Sequence, residues 1–190
     1  MRIKDEIKQE AVIAATVKLV NEIGFVNSSV AKIAKEAGVS PATIYIYYKN
    51  KEDLIVSTYL DIKKQLSNAM LKGFDSSMPI RDTLEKIWSN AFVFFKNNQD
   101  LFNFVEQFEY SPYHDLVDKS EINQLFDPIM QILTEGINQK IIKNVDFELL
   151  SAFIFFPILT LANKRICKNF VMSEENIAKA FQLAWDAIKL

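Results

Sequence analysis

The sequence predicts an all-α protein of about nine helices, and three observations support this fold class. Apolar residues recur at intervals of three and four along most of the chain, which is the spacing of one face of an α-helix. The chain has only 4 glycines and 5 prolines among 190 residues, which is few for an all-β protein with many tight turns. No segment alternates polar and apolar residues as a half-buried strand does. The composition, 49% hydrophobic and 24% charged, is that of a globular protein with a sizeable core.

The first two predicted helices each end at a glycine. The first has an apolar stripe that stops directly before Gly24 and consists of Ala11, Ala15, Leu19 and Ile23. Glycine just after the last apolar position is a helix C-terminal signal. Ser28 and Ser29 then offer an N-cap for a second, short helix, which ends at Gly38. This glycine predicts a left-handed cap and a sharp turn.

The third predicted helix follows that turn at once. Ser40 is a typical N-cap, and Pro41 is favoured at the first helical position. The helix runs to about Tyr48, and Asn50 offers the cap of the next one. Residues 28–48 therefore predict a helix-turn-helix. The residues that point into its seam are Val30, Ile33, Ala34, Val39 and Ile44.

Six further helices are predicted beyond residue 50. The apolar spacing places them at residues 51–72, 80–97, 100–110, 122–143, 147–167 and 174–189, the last capped by Ser173. The helix at 147–167 is apolar on two faces, and a helix of this kind must bury both. Together with the last helix it predicts a homodimer interface built from four helices. The predicted interface residues are Phe153, Phe156, Thr160, Phe181, Ala184, Trp185 and Ile188; the alternative is that this surface packs within one chain.

Several protein classes are excluded by what the chain lacks. A single cysteine, Cys167, rules out a disulfide framework and favours a reducing, cytoplasmic setting. The N-terminus has no apolar segment, so we expect no signal peptide, and the apolar run at 149–162 is too short to cross a membrane. Ser111, His114 and Asp115 lie too close along the chain for a catalytic triad. With no metal-ligand set and no Gly-rich phosphate loop, we expect no enzyme, cofactor or metal site; an enzyme on a helical scaffold is the weaker alternative.

Positive charge is concentrated at the N-terminal end. Residues 1–51 hold 8 Lys or Arg and 5 Asp or Glu, a net charge of +3, whereas residues 52–190 carry −5. A basic module on an acidic body is typical of a DNA-binding domain joined to another domain. The second helix of the helix-turn-helix carries hydroxyl groups and is followed by Lys49 and Lys51, which suits the major groove and its phosphates. The alternative is a plain three-helix packing with surface tyrosines.

Three segments within residues 11–55 form a specific pattern. They read AVIAATVKLVNEIGF, SSVAKIAKEAGVS and PATIYIYYKNKEDLI, and they combine a G-V-S turn, the pair Tyr45 and Tyr48, and a K-x-K-E-D-L entry into the fourth helix. This pattern resembles the N-terminal domain of the TetR family of bacterial transcription regulators. The resemblance implies a helix-turn-helix DNA-binding domain at residues 1–50 and a ligand-binding and dimerisation domain at residues 51–190.

The resemblance also implies a function. It predicts a homodimeric repressor that binds an inverted repeat in double-stranded DNA and is released by a small molecule. The alternative is a TetR-like DNA binder without such an inducer, which organises the chromosome or responds to a protein. The DNA-binding residues that the resemblance implies are Ser28, Ser29, Ser40, Pro41, Ala42, Thr43, Tyr45, Ile46, Tyr47, Lys49 and Lys51, with Tyr48 in the core.

Two positions depart from the family pattern. Ala42 stands where many members have glycine, and Ile46 stands where many have histidine. An isoleucine side chain forms no hydrogen bond, so Ile46 either contacts a thymine methyl group or packs against the protein.

Aromatic residues crowd the fifth to seventh predicted helices. In the TetR family these helices surround a ligand cavity, so the resemblance implies a pocket for a small apolar or cationic organic molecule. Glu106 and Glu109 could meet a cation or form a solvated face. The alternative is that the aromatic residues are ordinary core. The predicted pocket residues are Trp88, Phe92, Phe95, Phe102, Phe108, Tyr110 and Phe126.

Overall fold

The computed structural model describes residues 2–75 and 77–190, and the side chains from residue 6 onwards within those ranges. This part of the chain is helical almost throughout, which confirms the all-α prediction, and its only pairing of extended backbone is an isolated bridge between Ile142 and Lys189. The elements are α1 (Arg2–Asn27), α2 (Val30–Glu36), α3 (Pro41–Tyr47), α4 (Lys51–Met70), α5 (Ile80–Asn97), α6 (Gln99–Glu109), the 3-10 helix η1 (Pro112–Leu116), α7 (Lys119–Asn138), α8 (Phe147–Ile154), α9 (Phe156–Ala162) and α10 (Glu174–Ile188).

The predicted caps and the turn at Gly38 are present in the N-terminal helices, whereas α1 continues past the stop predicted at Gly24 to Asn27. Gly24 interrupts α1 with a φ of 75° and a ψ of 167°. Gly38 adopts a φ of 68° in the turn between α2 and α3. The hydroxyl of Ser29 accepts the backbone N–H of Lys32 and caps α2, and Ser40 caps α3 ahead of Pro41. These local signals set the geometry of the helix-turn-helix.

The prediction of one continuous helix at residues 147–167 is wrong in both length and continuity. It is divided at Phe155 into α8 and α9, and it ends at Ala162. Pro157 lies in the first turn of α9. Because proline lacks an N–H and its ring clashes with the carbonyl four residues earlier, a continuous helix cannot pass through this position undisturbed.

The helix predicted at residues 122–143 is shifted towards the N-terminus. It begins at Lys119 and ends at Asn138, and Lys140 then takes a φ of 58°. The N–H of Lys143 donates to the carbonyl of Ile188, and the N–H of Leu190 donates to that of Ile141. The segment after α7 therefore pairs with the end of the chain, a long-range contact that helical spacing cannot reveal.

The chain divides into two compact units. Unit 1 comprises the residues up to Lys63 together with Gln99–Ile122, and unit 2 comprises Lys64–Asn98 together with Asn123–Leu190. In unit 1, α2 packs on α1 and α3, and α6 packs on α1. In unit 2, α10 packs on α5 and α8, and α9 packs on α5 and α8. None of the described helices is long and apolar enough to cross a membrane.

Candidate nucleic-acid interface

The helix-turn-helix is held by a small core between α1, α2, α3 and the start of α4. Ile33 and Ile44 are both fully buried there and join the second helix to the third. The remaining buried members are Val12, Ala15, Val30, Ala34, Tyr48 and Leu54, and Val39 packs against them. The predicted seam and the core position of Tyr48 are therefore confirmed.

The two faces of α3 differ sharply in exposure. Ile44, Tyr47 and Tyr48 recur at helical spacing and face the core; Tyr47 is half-buried, with its ring 6.4 Å from that of Tyr48. The opposite face carries Ala42, Tyr45 and Ile46, which are all exposed, Ile46 to 76%. This short helix thus presents one outward face to solvent.

Two hydroxyl groups at the start of α3 bond to each other. Ser40 Oγ lies 2.9 Å from Thr43 Oγ1, and it also accepts the backbone N–H of Thr43 at 3.2 Å. Ser40 and Pro41 are exposed and Thr43 is half-buried. The capping role of Ser40 thus occupies much of its hydrogen-bonding capacity.

The assignment of Ser28 to the DNA-binding surface is wrong. Its side chain is fully buried, and its hydroxyl donates to the carbonyl of Gly24 at 2.8 Å. This bond satisfies the backbone where Gly24 interrupts α1, so the side chain cannot reach a phosphate. Ser29 is exposed and caps α2.

The two predicted phosphate-binding lysines have different surroundings. Lys49 is exposed, and its backbone N–H donates to Asp53 Oδ2 at 2.7 Å. Lys51 Nζ donates to the carbonyl of Phe25 at 2.6 Å, which ties the end of α1 to the start of α4. Lys51 Nζ also lies 3.5 Å from the carbonyl oxygen of Val26. An ammonium group has three donors, so these two contacts leave one donor for a phosphate.

A second core in unit 1 joins α1, α4 and α6. The rings of Tyr59 and Phe108 stack at 4.0 Å, and Phe25 lies edge-on to Phe104 at 5.7 Å. Polar contacts support the same packing, since Asn21 donates to the carbonyl of Asp100 and accepts from Gln107. The sixth helix therefore belongs to the same compact unit as the helix-turn-helix.

A cluster of polar side chains closes this core, and sequence reasoning missed it. Tyr59 Oη donates to Glu109 Oε1 at 2.7 Å, Lys63 Nζ donates to the same oxygen at 3.0 Å, and His114 Nε2 lies 3.3 Å from Glu109 Oε2. Burial alone would raise the pKa of Glu109, but Lys63 and the hydrogen bond from Tyr59 together lower it. Burial and the Glu109 charge raise the pKa of Tyr59. The partners come from α4, α6 and η1, so no local spacing indicates the cluster.

We expect Glu109→Gln to lower the free energy of unfolding at pH 7 by about 1–2 kcal/mol, because Lys63 loses its charged partner. A carboxyl group whose pKa is lowered in the folded state stabilises the protein above its unfolded pKa, and this stability is lost as the pH falls through the folded pKa. Denaturant unfolding at pH 7 and at acidic pH should therefore show the difference between wild type and variant shrinking with acidity. A difference that is independent of pH would contradict this account; Asp127→Asn, which removes the charge of an exposed carboxylate on α7, is the control.

Unit 2 carries an open apolar groove on α8, α9 and α10. Its volume is about 590 Å³, and large apolar side chains on its walls are exposed, Phe156 to 57% and Leu183 to 75%. An exposed apolar surface of this kind is typical of a protein–protein or ligand-binding site. Residues lining it include Phe153, Phe156, Thr160, Leu183, Ala184 and Ala187.

The predicted dimer residues divide between this groove and the interior. Phe181, Trp185 and Ile188 are buried in the core of unit 2, so their assignment to an interface is wrong. The apolar stripe of α10 that was predicted to face a partner instead packs on α5 and α8 within the chain. Leu183 lies on the other face of this helix; the spacing of Ala180, Leu183 and Ala187 was a signal that could have identified it.

The predicted pocket residues lie in both units. Trp88, Phe92 and Phe95 are buried in unit 2, where the rings of Trp88 and Phe92 are 4.8 Å apart. Trp88 Nε1 donates to the carbonyl of Ile154, at the end of α8 where carbonyl groups lack partners within the helix. Phe102 and Phe108 are buried in unit 1, and Phe126 is half-buried.

Tyr110 does not fit the predicted pocket. Its side chain is 90% exposed, so its assignment as a lining residue is wrong. It directly follows α6, beyond the last turn that packs on α1 and α4. Among the residues that the structure describes, no cluster of His, Cys, Asp and Glu could hold a metal ion.

Two protein-family models match the chain. Residues 12–58 match the bacterial regulatory proteins of the tetR family, and residues 79–189 match a tetracyclin repressor-like C-terminal domain. The fatty acid metabolism regulator protein of Bacillus subtilis is 32% identical over 156 residues, which cover 80% of this chain and 79% of that protein.

Solved structures agree with these matches. A TetR family transcription regulator from Marinobacter aquaeolei superposes with a TM-score of 0.91 at 34% identity, covering 100% of this chain and 99% of that one. The regulator FadR from Bacillus subtilis in complex with stearoyl-CoA superposes with a TM-score of 0.72 at 26% identity, covering 92% and 95%. The exposed α3 of a helix-turn-helix and the matches over both parts of the chain lead to one conclusion: the chain belongs to the TetR family of bacterial DNA-binding transcription regulators.

Proposed function

We propose that the chain is a cytoplasmic repressor that binds an inverted-repeat operator as a homodimer and is released by a lipophilic small molecule. The observation that carries the DNA-binding part is the outward face of α3, where Ala42, Tyr45 and Ile46 stand exposed on a well-packed helix-turn-helix. The homodimer part is supported by the apolar groove on α8, α9 and α10. Two-fold symmetry in the protein requires two-fold symmetry in its operator.

The proposed mechanism is a shift between two populated states. A dimer whose two α3 helices stand about one helical turn of DNA apart, roughly 34–36 Å, fits two half-sites. A ligand that binds better to a state with another spacing favours that state and releases the DNA. Because α4 contributes residues to both compact units, we propose that its tilt carries the change to the helix-turn-helix.

Selection of bound fragments from random duplex DNA tests the operator. We expect one inverted repeat to be enriched, with half-sites whose centres lie about one helical turn apart. Enrichment without a consensus would support the chromosome-associated alternative. Absence of binding at low salt would contradict the DNA-binding role.

Long-chain acyl-CoA is the first ligand class to test, because a relative has been crystallised with stearoyl-CoA and the chain is rich in buried aromatic side chains. At a concentration 100-fold above Kd, stearoyl-CoA should stabilise the protein by about 2.7 kcal/mol and release it from the selected operator. Free coenzyme A is the control for the headgroup. Unchanged thermal stability across acyl chain lengths would favour a DNA binder without a lipophilic inducer.

We expect Lys49→Ala to weaken binding about equally on specific and random DNA. Each phosphate contact contributes about 0.9 to the slope of log K against log salt, so a dimer that loses two should show a slope shallower by about 2. Titration of operator DNA with the protein at several salt concentrations, from low to moderate, measures this slope. Lys86→Ala, which removes a lysine outside the helix-turn-helix, is the control, and an unchanged slope for Lys49→Ala would reject its role.

A further inference from the structure

The outward face of α3 has an unusual chemistry for a helix that reads DNA. The helix consists of Pro41–Tyr47 and contains no Asn, Gln, Arg, Lys, Asp or Glu. Amide and guanidinium groups are those that read adenine and guanine with paired hydrogen bonds in the major groove. This helix therefore cannot recognise purines in that way.

The other polar side chains of this helix, apart from Tyr45, make contacts within the protein. Thr43 Oγ1 lies 2.9 Å from Ser40 Oγ, and Tyr47 is half-buried against the core. The phenol of Tyr45 is the one hydroxyl on the outward face, and a single hydroxyl distinguishes base pairs poorly.

The exposed side chains of α3 share one face of the helix. Ala42, Tyr45 and Ile46 are spaced as i, i+3 and i+4, so they share one face of the helix. Ile46 is 76% exposed, whereas Ile44, two residues earlier, is fully buried in the core. In the major groove, thymine is the base that presents a methyl group, and an apolar side chain gains by covering it.

We infer that Ile46 determines operator specificity by contacting a thymine methyl group in each half-site. The inference rests on the proposed operator binding and names the base contact within it. Recognition through this methyl group favours A·T pairs at the contacted position without any hydrogen bond from Ile46. Ala42 lies one turn earlier on the same face and widens the apolar contact.

The test replaces every thymine of the selected operator by deoxyuridine. This change removes only the C5-methyl group and keeps all Watson–Crick hydrogen bonds. Burial of one methyl group is worth about a fourfold change in affinity, so two half-sites should give about 15-fold weaker binding to the uracil duplex. Ile46→Ala should bind the thymine duplex more weakly and lose most of this difference between duplexes.

Ile46→Ala also distinguishes a direct contact with the methyl group from an effect of deoxyuridine on DNA stiffness. A change in stiffness would weaken binding by Ile46→Ala as much as binding by wild type. Val93→Ala, which truncates an exposed apolar side chain in unit 2, should keep the wild-type ratio. Equal binding of wild type to both duplexes, or an unchanged ratio in Ile46→Ala, would overturn the inference while leaving operator binding intact. Failure to bind either duplex would contradict the operator binding itself, and the inference with it.

Discussion

Replacing Phe153 and Phe156 with glutamate is expected to convert the proposed dimer into a monomer and to weaken binding to the proposed operator about 100-fold or more. Both side chains are exposed on the apolar groove of unit 2, and a buried charge without a partner is costly at an interface. Two linked half-site contacts bind far more tightly than one, by two to four orders of magnitude. A monomer has a single helix-turn-helix and contacts one half-site, so it loses that advantage.

Sedimentation equilibrium and operator titration measure the two effects on the same sample. Val93→Glu is the control, since it places a glutamate on an exposed apolar position of α5, away from the groove. The double variant should keep the circular dichroism of the wild type, because neither phenylalanine belongs to the buried core. A variant that remains dimeric would show that another surface forms the interface.

Ile44→Ala is expected to lower the free energy of unfolding by about 2–4 kcal/mol, as truncation of a fully buried isoleucine leaves a cavity. Ile46→Ala, on the same helix, should change it by less than about 0.5 kcal/mol, because that side chain is exposed. The pair thus separates stability from DNA recognition. Ile44→Ala loses stability, whereas Ile46→Ala keeps stability and loses operator affinity.

Hydrogen exchange locates the change within the chain. In Ile44→Ala the amides of α2 and α3 should exchange faster than in wild type, while those of α5 and α10, in unit 2, stay protected. Denaturant titration measures the free energy of unfolding of each variant. Similar stabilities for the two variants would contradict the assignment of opposite faces on α3.

The helix-turn-helix was predictable because its signals are local. Gly24 interrupts α1, Gly38 forms the turn after α2, and Ser40 with Pro41 begins α3; each acts on the backbone within four residues. The spacing of Val30, Ile33 and Ala34 indicates which face of α2 packs in the seam. The same local rules could not decide between Ser28 and Ser29, because the bond from Ser28 to Gly24 depends on the path of the chain after the glycine.

In unit 2, helical spacing does not identify which apolar faces are buried. Phe181 and Leu183 are both apolar residues on α10, and helical spacing alone does not say which stripe the rest of the chain covers. The structure buries Phe181 beside Trp88, with ring centres 5.8 Å apart, and leaves Leu183 on the groove. Pro157 is the local signal for the break at Phe155.

The all-α fold, the helix-turn-helix with its caps, and the family follow from local sequence signals, because helix periodicity, capping and turn conformation depend on neighbours a few residues apart. The three-dimensional packing is needed to show which apolar faces are buried, which serine is exposed, and that Glu109 contacts Tyr59, Lys63 and His114. Those properties arise from contacts between segments far apart in the chain. Their energies depend on what packs against each side chain, which local spacing does not encode.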